Sequence, residues 1–232
     1  MYRTGMKRAM AAVMGIALGA WLAQQDLAAQ PQRTQQQVVI IADLHKDNPV
    51  RINEQYRQRI AARLRQEIQG LELRYGDWLI LRTMGDASPA RHADSLWNRD
   101  IRFRYRQAEP ADLPGLINAL MVRLSSLPAH ESSRPGWALA RLKGTLDCSQ
   151  YKVTIFMVTN GLQAGTVRDG AFWMPDAAFK RAPLRGCSNA QVKFLGFAAQ
   201  MPEDNPNIAQ AAKQLFERLF RQAGLGRVDF VE

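Results

Sequence analysis

Hydrophobic residues along the chain fall into short continuous runs and helical stripes. The run Val38–Ala42 is apolar throughout, which is typical of a strand covered on both faces, and it ends at Asp43. After Asn48 and Pro49, apolar residues recur at every fourth position up to Gly70, which predicts an amphipathic helix. The members of this stripe are Ile52, Tyr56, Ile60, Leu64 and Ile68. The folded part of the chain is therefore expected to open with a strand and a helix.

The same patterns predict the later elements and the fold class. Strands are expected at Trp78–Thr83, Ile101–Arg106, Lys152–Thr159, Val192–Ala198 and Arg227–Val231. Helices are expected from Asp112, at Pro135–Lys143 with Ser133 as its cap, and from Asn205 to Gly224. This order predicts an α/β protein with a doubly wound, mostly parallel sheet, helices on both faces and one antiparallel edge strand.

The segment Leu162–Ala190 interrupts this order. It is rich in Gly and Pro and has neither a helical nor a strand period, and long connections of this kind are usually functional or disordered. It is expected to form a loop insertion that contacts a partner through aromatic and basic side chains. These are Phe172, Trp173, Phe179, Lys180, Arg181 and Arg185. The alternative is that the aromatic residues form a small local core.

The N-terminal segment predicts export. Arg3, Lys7 and Arg8 precede the fifteen-residue apolar stretch Ala9–Ala23, and small residues follow up to Ala29. This is the pattern of a secretory signal peptide over residues 1–29, and the stretch is shorter than the roughly 20 residues of a spanning helix. The alternative is an uncleaved membrane anchor. We expect a polar linker at 30–37, a single domain at 38–232, no transmembrane span in the mature chain, and a periplasmic or secreted location.

The chain has two cysteines, Cys148 and Cys187. In an exported protein, a disulfide is the default expectation for such a pair. Each cysteine precedes a predicted strand by a few residues, so in a parallel sheet both would lie at the same edge. The bond would add about 3–4 kcal/mol in chain-entropy models.

Charge bears on the choice of partner. The formal net charge is +10, which favours acidic partners such as nucleic acid, anionic lipid or an anionic wall polymer. The alternative is that the arginines solvate helix faces. The charge therefore indicates a class of partner without selecting one.

Polar residues at strand ends mark the candidate site. Asp43, His45 and Asp47 follow the first strand, and Asn160 follows the strand Lys152–Thr159. Ligand sites of open α/β sheets lie at this carboxyl edge. Two carboxylates and an imidazole would suit a divalent cation such as zinc or manganese, although no cofactor is the first expectation. The alternative is that Asp43 caps backbone amides and that Asp47, Asn48 and Pro49 cap the following helix.

The order of elements and the position of this acidic turn resemble a von Willebrand factor type A domain, over roughly Val38–Val231. Asp43 stands where that family has the first aspartate of its metal site. His45 and Asp47 replace two serines, and Asn160 replaces a later aspartate. The resemblance implies a protein-binding domain with a degenerate metal ion-dependent adhesion site.

These observations predict an exported, non-catalytic domain that binds a protein of the cell envelope. An accessory role in a secretion or conjugation system is the favoured setting. Common catalytic motifs are absent, including Gly-x-Ser-x-Gly, phosphate-binding loops and His-Glu-x-x-His. The alternatives are a metal-dependent periplasmic hydrolase and an electrostatic binder of nucleic acid or wall polymer.

Overall fold

The computed structural model describes residues 34–85, 99–102, 113–161, 166–168, 171–173, 184–198 and 206–231. The chain divides after Thr34, and all elements below belong to the unit Gln35–Glu232. The expected signal peptide lies outside the described residues. Within the described part of the chain, no helix has the length and apolar character needed to span a membrane.

A six-stranded sheet forms the centre of the unit. Its strands are β1 (Gln35–Asp43), β2 (Trp78–Met84), β3 (Arg99–Arg102), β4 (Tyr151–Val158), β7 (Gln191–Leu195) and β8 (Arg227–Val231). They lie in the order β3-β2-β1-β4-β7-β8, and five of them run parallel, while the short β3 pairs antiparallel with β2 at one edge. A separate hairpin consists of β5 (Thr166–Arg168) and β6 (Ala171–Trp173).

Helices cover both faces of the sheet. They are α1 (Pro49–Ile52), α2 (Glu54–Gln69), α3 (Leu113–Ser126), α4 (Pro135–Leu142) and α5 (Pro206–Gln222). Because successive side chains of a strand point to opposite faces, β1 contributes to two hydrophobic cores. Val39 and Ile41 pack with residues of α4 and α5, while Val38, Ile40 and Ala42 pack with residues of α2 and α3. This arrangement confirms the predicted α/β character.

The first strand begins at Gln35, inside the segment expected to be a linker. Two glutamines there are buried and hydrogen-bonded. Gln36 Nε2 donates to the carbonyl oxygen of Leu71 (2.5 Å), and Gln37 Nε2 donates to the carbonyl oxygen of Thr145 (2.9 Å). The linker prediction was therefore wrong for these residues, since polar side chains that find partners can extend a buried strand.

The predicted helix from Asn48 to Gly70 is two helices. Asn48 caps α1, and Asn53 caps α2 through a hydrogen bond from the Tyr56 amide to its side-chain oxygen (2.9 Å). Asn53, between the two helices, has an extended backbone (φ −118°, ψ 111°), and Ile52 is 64% exposed and lies outside the buried stripe. An apolar residue at helical spacing was therefore not a core residue here.

The predicted disulfide between Cys148 and Cys187 is present. The cysteines precede β4 and β7, which are neighbours in the sheet. Asn189 Nδ2 also donates to the carbonyl oxygen of Cys148 (2.8 Å), so the two segments are joined twice. The bond fixes the amino edge of the sheet, opposite the candidate site.

The insertion is not free of secondary structure, because it contains the hairpin of β5 and β6, and β6 lies against α5. Phe172 and Trp173 belong to β6, but their side chains lie outside the described residues, as do Phe179, Lys180 and Arg181. Arg185 is exposed, whereas the adjacent Leu184 is buried in the core. Partner contact through the insertion stays a prediction.

Candidate functional site

The candidate site lies where the strand order reverses. From β1 the chain builds the sheet outward through β2 and β3, and it then returns to add β4 on the other side of β1. In open α/β sheets, ligands bind at the carboxyl ends of the strands that flank such a switch point. Asp43 ends β1, and Thr159 and Asn160 directly follow β4.

Asp43 is fully buried, and protein donors bind both oxygens of its carboxyl group. Oδ2 accepts hydrogen bonds from Thr159 Oγ1 (2.6 Å) and Ser133 Oγ (2.9 Å), and Oδ1 accepts one from the His45 amide (3.0 Å). Three segments that are distant in sequence therefore meet at one carboxyl group. This set of contacts is called the Asp43 cluster below.

Burial raises the pKa of Asp43, because a carboxylate removed from water loses its hydration. The hydrogen bonds from Thr159, His45 and Ser133 favour the ionised form and oppose this rise in pKa, but desolvation is the larger effect. The folded protein therefore holds the Asp43 proton more tightly than the unfolded chain does. Burial also lowers the pKa of the nearby Arg51, and the charge of Asp43 opposes that change.

Ser133 was expected to cap α4, and the structure corrects this prediction. The residue at the cap position is Arg134, which makes no side-chain capping hydrogen bond. The Ser133 hydroxyl bonds to Asp43 instead. A helix can begin without a side-chain cap when tertiary contacts hold it, and α4 buries Leu139 and Leu142 in the core.

His45 is buried, and both of its ring nitrogens are engaged. Nδ1 accepts a hydrogen bond from the Asp47 amide (3.1 Å), and Nε2 lies 3.0 Å from the carbonyl oxygen of Glu131. Since a carbonyl oxygen can only accept, the proton belongs on Nε2. The ring therefore joins the turn after β1 to the loop before α4.

Both carboxyl oxygens of Asp43 and both ring nitrogens of His45 contact protein groups, and the Asp47 side chain is 66% exposed. A divalent cation at this turn stays a prediction. Within the described ranges, no group of three or more His, Cys, Asp or Glu side chains is arranged to hold a metal ion. The geometry favours a structural role for Asp43 and His45.

Asn160 is buried beside Thr159, and its Oδ1 has no hydrogen-bond partner. Its backbone carbonyl accepts from the Ala198 amide (2.9 Å), which ties the end of β4 to the segment after β7. The next residue, Gly161, has φ +75°, and the Phe197 ring packs directly against its Cα. The end of β4 is therefore filled by the protein's own groups.

Arg51 is a second organising residue that the sequence patterns did not identify. Its guanidinium donates to the carbonyl oxygens of Leu124 (3.0 Å) and Leu127 (2.6 Å) at the end of α3, and to that of Leu44. It therefore joins the turn after β1 to α3. In the sequence, Arg51 is marked only by its place as a basic residue just before Ile52. Its hydrogen-bond partners could not be predicted, because they are distant in sequence.

His130, in the loop before α4, is buried. Its backbone pairs with that of Leu44 and Lys46, and its ring packs against the Cα of Gly85 at the end of β2. The loop before α4 therefore covers the carboxyl ends of β1 and β2.

Exposed side chains surround this buried centre. Lys46 and Glu131 form an ion pair at the surface (2.7 Å), with side chains 49% and 70% exposed. Trp137, in the first turn of α4, is 42% exposed, and Ile52 lies at the end of α1. These four residues are called the carboxyl-edge surface below. Sequence analysis did not single out any of them as a contact residue.

Fold and site together define a doubly wound α/β domain with a buried acidic residue at its switch point. No protein-family model matches the sequence, and no curated protein sequence matches it. Two solved structures of the pilus adhesin SpaC from Lactobacillus rhamnosus GG are similar to the chain. The open conformation aligns with a TM-score of 0.49 and 13% identity, over 88% of this chain and 28% of the adhesin.

A second structure of the same adhesin gives a TM-score of 0.47 and 14% identity, over 82% of this chain and 27% of the adhesin. The chain thus spans little more than a quarter of that protein's length. The similarity is too distant to support an inference about function. The function proposed below rests on the residues of this chain.

Proposed function

We propose that this chain is an exported domain, similar in fold to von Willebrand factor type A domains, that binds a protein partner through the carboxyl-edge surface. The observation that carries the proposal is the closed Asp43 cluster, whose hydrogen bonds come from the protein itself. A carboxyl group satisfied in this way serves to fix the surrounding loops. The binding surface is then the exposed rim that these loops present.

Burial of the polar centre argues against a hydrolytic role for it. Asp43 is inaccessible to solvent, and His45 is 6% exposed. A general acid or base must come within hydrogen-bonding distance of its substrate, directly or through one water. Neither side chain can do so without opening the loops that they join, so positioning is the role that fits both.

The composition of the rim suits protein recognition. Trp137 offers a large, partly exposed ring, and tryptophan is enriched among residues that dominate binding energy. Ile52 adds apolar area, and the Lys46–Glu131 ion pair adds charged groups that can set orientation. Because the loops are cross-linked, binding would cost little ordering of the backbone.

Export is supported by the predicted signal peptide and by the disulfide. The basic net charge of +10 favours an acidic partner surface. An accessory role in an envelope assembly, such as a secretion or conjugation system, is the setting in which an exported protein-binding domain of this size would act. The partner itself is identified by the experiment below.

Photo-crosslinking in intact cells tests the proposal. The chain offers two exposed ion pairs at opposite edges of the sheet, Lys46–Glu131 at the carboxyl edge and Glu72–Arg74 at the amino edge. A photo-reactive amino acid is placed at each of these four positions in turn. We expect one discrete envelope-protein adduct from positions 46 and 131 and none from 72 and 74.

Matched solubility and expression of the four variants serve as the control. Equal adducts from both edges, or adducts from the amino edge alone, would contradict the proposed surface. Lack of any protein adduct, with retention on anionic wall polymer that is lost at high salt, would favour the electrostatic alternative.

A further inference from the structure

The outward side of α4 carries an aromatic ring between two arginines. Arg134 directly precedes the helix, Trp137 lies in its first turn and Arg141 lies in its last turn. Residues three, four and seven positions apart lie on one side of a helix, so this spacing brings the three side chains together. The other side of α4 buries Leu139 and Leu142 in the core. Arg134, Trp137 and Arg141 are called the α4 face below.

The side chains of the α4 face are accessible to a partner. Trp137 and Arg141 are exposed, and Arg134 is half-buried. Among the described residues, none forms a hydrogen bond, an ion pair or a ring contact with these three side chains. Trp78 differs, because its indole N–H donates to the Tyr151 hydroxyl (3.4 Å). The α4 face therefore offers one indole ring and two guanidinium groups.

The charge of this part of the chain has one sign. Residues 132–146 include three basic side chains and no acidic one. The acidic residues on either side of this stretch are already engaged, since Glu131 pairs with Lys46 (2.7 Å) and Asp147 accepts from the Ser149 hydroxyl (2.6 Å). An acidic partner segment is therefore complementary to α4 in charge.

The chemistry of the α4 face selects the kind of acidic partner. A guanidinium binds a carboxylate through paired hydrogen bonds, and an indole ring packs against apolar groups. Arg134 and Arg141 are separated by about 10 Å along the helix axis, and Trp137 lies between them. The matching ligand has acidic residues on both sides of an apolar one. Single-stranded nucleic acid stacks on several rings in succession, whereas the α4 face offers one.

We infer that the partner presents an acidic segment to the α4 face, with carboxylates bound to Arg134 and Arg141 and an apolar side chain packed on Trp137. This inference rests on the proposed function, because Trp137 belongs to the carboxyl-edge surface. It adds the chemistry of the partner and extends the contact along α4. The observation that carries it is the placement of one exposed indole between two arginines.

Calorimetric titration of the purified chain with three capped peptides tests the inference. The first peptide has a central leucine between two pairs of glutamates. The second has serine in place of the leucine, and the third has glutamines in place of the glutamates. We expect the first peptide to bind at one site. The serine peptide should bind about fivefold more weakly, because it lacks the apolar contact, and the glutamine peptide at least about tenfold more weakly.

Two double variants of equal charge change separate the α4 face from general attraction to a basic protein. Arg134→Gln combined with Arg141→Gln should weaken binding of the glutamate–leucine peptide about tenfold. Arg123→Gln combined with Lys152→Gln should leave it within about twofold. Arg123 and Lys152 are exposed, and both lie across the sheet from α4, since α3 packs on the opposite face and Lys152 alternates with the inward Val153.

Trp137→Ala tests the apolar contact separately. Without the indole ring, the leucine and serine peptides should bind with equal affinity, although the glutamates still bind the two arginines. Unfolding midpoints show whether the variants fold. If the half-buried Arg134 is needed for folding, the single variants Arg141→Gln and Lys152→Gln replace the double ones, with an expected loss of about threefold against none.

The inference is overturned if both sets of charge variants lose affinity equally, if the natural chain binds the serine peptide as tightly as the leucine peptide, or if no peptide binds at millimolar concentration. Crosslinking at positions 46 and 131 tests the proposed function independently. A crosslinked protein without peptide binding would overturn this inference alone, and peptide binding without a crosslinked protein would contradict the proposed function alone.

Discussion

Asp43 holds three segments of the chain together through one buried carboxyl group. Its carboxyl group is buried and accepts three hydrogen bonds from segments that are far apart in the chain. Removing such an acceptor leaves buried donors unpaired, which usually costs more than the bonds contribute. The side chain therefore stabilises the arrangement of the loops at the switch point.

Two substitutions at Asp43 distinguish the effect of the side chain's shape on stability from the effect of its charge. Asp43→Ala should lower the free energy of unfolding by about 2–4 kcal/mol, because two hydroxyl groups lose their acceptor and a cavity forms. Asp43→Asn keeps the shape of the side chain and should lower the free energy of unfolding by less. Urea denaturation at neutral pH measures both, and equal losses for the two variants would contradict the account.

The pH dependence of stability gives a second test at this position. Because the folded pKa of Asp43 is raised above its ordinary value of 3.8, its contribution to stability is fully present below that value and is lost as pH rises through the folded pKa. The stability of Asp43→Asn relative to the natural chain should therefore improve as pH rises.

Asp147→Asn is a control for which we expect the opposite pH dependence of stability. A hydrogen bond from the Ser149 hydroxyl lowers the pKa of Asp147, so the natural chain should gain over this variant as pH rises. Urea denaturation series from about pH 3.5 to about pH 8 give both trends. A relative stability of Asp43→Asn that is constant with pH, or that falls, would show that burial does not govern this carboxyl group.

Sequence patterns located part of this residue-scale arrangement. They identified Asp43, His45 and Asn160, because each stands next to the end of an apolar strand. They assigned Ser133 to a helix cap, since a serine near a helix start usually has that role. A hydroxyl that bonds across 90 residues leaves no local signature.

At the scale of elements, the ends of the parallel strands are covered by side chains from other segments. The His130 ring packs on Gly85 after β2, and the Phe197 ring packs on Gly161 after β4. A glycine at these positions lets a ring lie directly on the backbone. Among the described residues, the ends of β2 and β4 are thus covered by rings of the protein itself.

Gly161→Ala tests this packing, with Gly144→Ala as its control. Both glycines have positive φ, so alanine should cost about 1–2 kcal/mol at either position from backbone strain. A Cβ at Gly161 would lie 2.2 Å from the Phe197 ring, whereas nothing lies within 4 Å at Gly144. Gly161→Ala should therefore lose about 1–3 kcal/mol more in chemical denaturation. Equal losses would show that the ring contact is unimportant.

The elements themselves were largely predictable, for physical reasons. Strands such as β4, which is buried on both faces, give continuous apolar runs that are easy to recognise. Three features were not predicted, because tertiary contacts or local turns outweigh the hydrophobic pattern there. They are the early start of β1 at Gln35, the break at Asn53 and the hairpin in the insertion. The disulfide was predictable because both cysteines precede neighbouring strands.

At the scale of the whole molecule, the two edges of the sheet differ in character. The amino edge is fixed by the Cys148–Cys187 disulfide. The carboxyl edge is fixed by the Asp43 cluster and presents an exposed tryptophan and an ion pair. A domain with one covalently fixed edge and one hydrogen-bonded edge can present a preformed surface, which lowers the entropic cost of binding.

Affinity for the protein captured by crosslinking tests the central proposal most directly. The chain offers a matched pair of exposed aromatic residues, Trp137 at the carboxyl edge and Tyr75 at the amino edge, which are 42% and 59% exposed. If the carboxyl-edge surface binds the partner, Trp137→Ala should weaken the complex about tenfold or more in Kd, while Tyr75→Ala leaves it unchanged. Equal affinities for Trp137→Ala and the natural chain, or a loss confined to Tyr75→Ala, would contradict the proposal.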